Sequence, residues 1–151
     1  MPYSHDTYDR RIQLGASRRR REDAEQLHDM QRSAGAIYLG GYAIECSMLA
    51  LICYNEGVNS IKDTRLFKQS NSGATLHSLT ILLDSLPAIK RAISLDQTGR
   101  YKEAWNTITR LWKKDALRYW DKTGDNHECE RFIRAIKVIH DFILSQQGEA
   151  S

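Results

Sequence analysis

Between Arg100 and Lys122 the chain mixes cations with large rings: seven basic side chains stand against three acidic ones. Arg110, Lys113, Lys114 and Arg118 lie close to Trp105, Trp112 and Tyr119, a composition that can hold phosphates and stack bases. The spacing also has a plainer explanation. Trp105, Trp112 and Tyr119 recur every seven positions, which is how one face of a helix meets a core, with the basic residues covering the other face. A formal net charge of +3 is too small to bind nucleic acid by bulk attraction. His127 and Cys129 could both ligate a metal, but no second pair has zinc-like spacing, so no metal and no cofactor are expected. Gly35, Gly40 and Gly41 lack the Lys-Ser or Lys-Thr that would complete a phosphate loop, and close helix packing explains them better.

The elements that must position these residues are helical. Ala34 to Tyr54 is apolar on nearly every face yet carries Glu45 at its centre. A carboxylate there argues for the central helix of a bundle over a membrane span. Leu76, Leu79, Leu82, Leu83 and Leu86 mark a helix that Pro87 ends or kinks. A fourth helix runs from Gly99 through Tyr119, and Asp125 with Glu128 opens a last one whose stripe is Cys129, Phe132, Ile133, Ile136, Ile139 and Ile143. Met1 to Ala16 lacks apolar periodicity and reads as a poorly ordered arm, with Ser17 capping the first helix. No strand signal is present. The expected fold is an all-α, up-and-down bundle of four to five helices over residues 17–147, with three unpaired thiols that suit a reducing cytoplasm.

The string Tyr38-Leu39-Gly40-Gly41-Tyr42-Ala43-Ile44-Glu45-Cys46 resembles the core of the HEPN domain, a family of small helical proteins. Leu76-His77-Ser78-Leu79, and Trp112 ahead of Leu117-Arg118-Tyr119, look like that family's helix-opening His-x-Leu and its Arg-Tyr motif. The resemblance gives Tyr42, Glu45, His77, Trp112, Arg118 and Tyr119 a structural role. It implies a homodimer, association with a nucleotide or RNA, and an accessory place in a toxin–antitoxin or defence system, often beside a small nucleotidyltransferase acting as antitoxin.

Members of the family that cleave RNA without a metal carry Arg followed by His on the last helix, and Arg134 with His140 meets that spacing here. In such an enzyme the imidazole would move the 2′-hydroxyl proton and the guanidinium would hold the phosphorane's charge. Arg21 with His28 has similar spacing on the first helix. Two departures weigh against cleavage: Ala135 stands where cleaving members have a polar residue, and Leu49 where many relatives have a lysine. Without that lysine Glu45 needs a distant partner, either Arg118 or a Lys or Arg of a neighbouring subunit, and a Glu45 to Arg118 contact is expected. The leading expectation is therefore a binding or interaction module. A metal-independent endoribonuclease and a purely structural helical partner are the alternatives.

Overall fold

The computed structural model describes residues 6–70, 76–119 and 124–147. Eight α-helices account for most of them: α1 (Arg10–Asp29), α2 (Ser33–Glu56), α3 (Arg65–Gln69), α4 (Leu79–Asp84), α5 (Pro87–Leu95), α6 (Arg100–Leu111), α7 (Lys114–Arg118) and α8 (Asn126–Ser145). The chain is all-α; among the described residues the only extended pairing is an isolated antiparallel bridge between Asp9 and Ser60. Four helices of twelve residues or more, α1, α2, α6 and α8, make the bundle, and the short ones connect or close it.

Helix α2 lies at the centre. It packs on α1 and α8, while α6 packs on α8. Fifteen of its 24 residues are buried, which is why its sequence is apolar all round. It is long and apolar enough to cross a membrane, yet most of that stretch is enclosed by its neighbours here. Gly57 ends it in the left-handed conformation, φ 68°, where a Cβ would be strained.

The glycines of α2 are there for packing. A Cβ on Gly41 would lie 2.0 Å from Cε2 of Trp112, and one on Gly40 would lie 2.9 Å from the ring of Phe132. The Trp112 indole thus rests directly on the α2 backbone, and its Nε1 donates to the Tyr38 carbonyl at 3.0 Å.

That seating breaks the helix expected to run from Gly99 through Tyr119. Helix α6 stops at Leu111, Trp112 turns out of helical geometry at ψ 81°, and α7 starts afresh at Lys114. Trp112 is core, but Tyr119 is 79% exposed, so the seven-residue stripe does not lie along one buried face.

The N-terminal boundary also moves. Asp9 caps α1, accepting from the backbone N–H of Arg11 at 2.8 Å, so residues 10–16 belong to the bundle and not to an arm. Backbone bonds from Arg10 N to Asn59 O and from Ile61 N to Tyr8 O tie this end down. Ser17 is buried mid-helix, donating to the Leu14 carbonyl, and caps nothing. Met1 to His5 lie outside the described residues.

Pro87 opens α5 as its first residue, and Ser78 caps α4. At the last helix Asp125 accepts from His127 N and Glu128 N as the capping pattern suggests. The Glu128 side chain turns to Arg110 instead of completing the box. Cys46, Cys53 and Cys129 are free thiols. Burial raises all three, Cys46 to about 12 and Cys53 to about 11, so they are inert packing groups.

Candidate functional site

Tyr38, Tyr42 and Glu45 follow one another by four and three positions, so they share one face of α2. Tyr42 meets Tyr38 edge-on at 5.3 Å and Trp112 edge-on at 5.1 Å, and the two phenol oxygens are 3.4 Å apart. Because Trp112 interrupts the helix, α7 folds back over this face and brings its cations to it.

Lys114 reaches furthest. Its Nζ donates to Glu45 Oε1 at 3.1 Å and to the His77 carbonyl at 2.6 Å, and stands 4.6 Å from the Trp112 ring centre. His77 Nδ1 is 3.2 Å from Glu45 Oε2. A carboxylate can only accept, so Nδ1 carries the hydrogen and Nε2 is left toward solvent. Glu45, 4% exposed, is thereby satisfied by Lys114 and His77. The expected Glu45 to Arg118 contact is not made.

Arg118 turns instead to the phenols. The Tyr38 phenol first, then those of Tyr119 and Tyr42, hold its proton more firmly, and its guanidinium lies 6.0 Å over the ring of Tyr119. The hydrogen bond from Tyr42 and then that from Arg118 pull Tyr38 below the usual phenol range. Tyr42 goes the other way, up to about 12, through burial first and its bond to Tyr38 second.

Together these groups border an open cleft of about 750 Å3, lined by Tyr42, His77, Trp112, Lys113, Lys114, Asp115, Ala116 and Arg118. Three of the four basic residues expected to bind phosphate converge there. Arg110 does not, being paired on the surface with Glu128 at 3.4 Å. Tyr119, assigned a structural role by the resemblance, is exposed beside Arg118, whereas Tyr42, Glu45 and Trp112 are packed into the fold. Tyr38 was not singled out from sequence. Its signal was available, as the position one turn before Tyr42 on a helix with few polar groups.

The pair Arg134 and His140 does not converge within the chain. Six positions apart on α8, they project about 120° apart around its axis. Arg134 is exposed and held by Glu130 at 2.5 Å, in a hollow between α6 and α8. His140 is 1% exposed and faces α1.

Arg21 Nη1, which can only donate, lies 3.1 Å from His140 Nδ1 and 2.6 Å from Asp141 Oδ1. Nδ1 must then be unprotonated, and Nε2–H donates to Ser17 Oγ at 3.1 Å. Burial, then the Arg21 charge, pushes His140 down to about 4. The ring is a neutral strut between α1 and α8. Arg21, noted for its spacing to His28, thus serves His140. No group of three or more metal-ligating side chains occurs among the described residues. No family model, no curated protein and no solved structure matches the chain.

Proposed function

We propose that this protein is a nucleotide- or RNA-associated bundle of the HEPN kind, a binding or interaction module without catalytic activity in a toxin–antitoxin or defence setting. The observation that carries the binding reading is the convergence of Lys113, Lys114 and Arg118 with the rings of Tyr42 and Trp112 at one cleft, with Tyr119 beside Arg118. Among the described residues no carboxylate pairs with Arg118, whose neighbours are phenols, so its charge is available to a phosphate. Lys113 is exposed and makes no ion pair with a described residue. Tyr119, open to solvent with a guanidinium over it, is a platform for a base.

The resemblance of Tyr38 to Cys46 supports the family assignment, and with it a homodimer and a small nucleotidyltransferase as partner. The endoribonuclease reading has less support, because His140 is enclosed and Arg134 lies on another face.

Melting curves with uridine monophosphate (UMP), for the wild type and Arg118→Gln, test the binding. At a hundredfold excess over Kd a ligand adds about 2.7 kcal/mol, a rise of about 5–10 °C at this size, which the variant should lose. Equal melting with and without UMP overturns the binding reading in favour of a structural partner. RNA cleavage that survives chelator and disappears in His140→Ala overturns the non-catalytic one.

A further inference from the structure

A second basic site lies in the groove between α6 and α8. Arg100 of α6 and Arg131 and Arg134 of α8 stand around a hollow of about 320 Å3. Glu103 is on its wall, and Glu130 engages Arg134. Arg100 and Arg131 are both exposed, and neither is in an ion pair with a described residue.

Helices α6 and α8 run antiparallel. Tyr101 stacks on Phe142 at 4.7 Å near one end of the pair, and Arg110 meets Glu128 at the other. Helix α6 therefore leads from the arginine hollow at its start to the aromatic cleft past its end. Helix α6 rises about 17 Å from Arg100 to Leu111, and Lys113 lies two residues beyond its end. Arg110, paired with Glu128, is exposed between the two sites. One phosphate cannot reach both sites, but a chain of phosphates can.

We propose that the α6–α8 groove and the aromatic cleft form one track for a single-stranded polynucleotide. The arginines of the groove hold its backbone while the cleft takes an unstacked base. This rests on reading the cleft as a nucleotide site, and it names the ligand as a polymer of several nucleotides. Arginine forks match phosphate oxygens, and a basic groove with aromatic stacking positions is how single strands are held without sequence readout. Glu103, Glu128 and Glu130 cancel part of the local charge. Binding consequently depends on where phosphates are placed, in keeping with a net charge of only +3.

The test uses the full chain with a fluorescent uridylate octamer, read by anisotropy against salt, and UMP, read by calorimetry. The paired variant Arg100→Gln and Arg131→Gln leaves the cleft intact and removes no ion pair, and its melting temperature is measured alongside. The octamer is expected to bind at least about tenfold more tightly than UMP. The paired variant should lose about tenfold for the octamer, keep UMP affinity and melting temperature, and lower the slope of log K against log salt by one to two.

An octamer that binds no tighter than UMP, or that ignores the paired variant, overturns the track and leaves the cleft reading standing. Octamer binding that depends on both arginines while UMP fails to bind supports the track and overturns the cleft as a mononucleotide site. If neither ligand binds, both fall.

Discussion

The ammonium of Lys114 is 3.1 Å from the Oε1 of Glu45, joining α7 to the middle of the buried central helix. Only 5% of the Glu45 side chain is exposed, so the pair is largely withdrawn from water. Removing one partner leaves a buried charge short of a hydrogen bond. Lys114→Met should cost about 2–3 kcal/mol, His77 still holding the other oxygen. With Glu45→Gln in the same chain, the loss should be smaller than the sum of the two single losses by at least about 1 kcal/mol. Urea titrations of the four proteins measure this, and additive losses would refute the coupling.

Gly41 admits the Trp112 indole, and a methyl group there would lie 2.0 Å from ring carbon. Neither the α2 backbone nor the seated indole can give that much. Gly41→Ala should destabilise the fold by about 3 kcal/mol and lower the melting temperature by about 6–12 °C. Pairing it with Trp112→Leu should recover part of the loss relative to additivity. Thermal unfolding by circular dichroism is the readout.

His140 makes stability depend on acid. Its folded pKa, about 4, is below the ordinary imidazole value of 6.5, so between those pH values the unfolded chain takes up a proton that the folded one refuses. The contribution is complete above about pH 6.5, declines as pH falls toward 4, and amounts to about 2–3 kcal/mol. His140→Gln, whose amide can still donate to Ser17, should flatten the stability profile over that window. An unchanged profile would show that the ring titrates normally.

Tyr38 should ionise at lower pH than an ordinary tyrosine, because Tyr42 and Arg118 stabilise its phenolate. Absorbance at the phenolate band followed against pH should show one early step that moves up in Arg118→Gln. Tyr42→Phe should move it too, since it removes the larger of the two causes.

Much of the architecture could be read from composition and spacing. The even apolarity around α2 marks a helix enclosed on all sides, and Asp125 gives away the start of α8. The break after Leu111 left no such mark. No proline or glycine stands there; the helix ends because an indole fits a gap left by Gly41 on another element, which is a tertiary cause. The error at Glu45 follows from that break. Lys114 and Arg118 are one helical turn apart, so spacing cannot say which reaches the carboxylate, and the fold-back of α7 decides it. Likewise Arg134 and His140 satisfy a spacing pattern, while the packing of α8 between α1 and α6 sends them to different neighbours. At the N-terminus, Asp9 was a legible cap, but the few apolar residues between it and Ser17 concealed the helix.

The contact between Gly41 and Trp112 also constrains how this sequence can drift. A side chain can appear at position 41 only after the indole has shrunk or moved, and a shrunken residue at 112 gives up the bond to the Tyr38 carbonyl that fixes where α7 begins. Positions 41 and 112 should therefore change together in chains that keep this fold. Where glycine has been replaced, the basic wall of the cleft should be lost with it, so that one small residue inside the bundle serves as the heritable marker of the surface site.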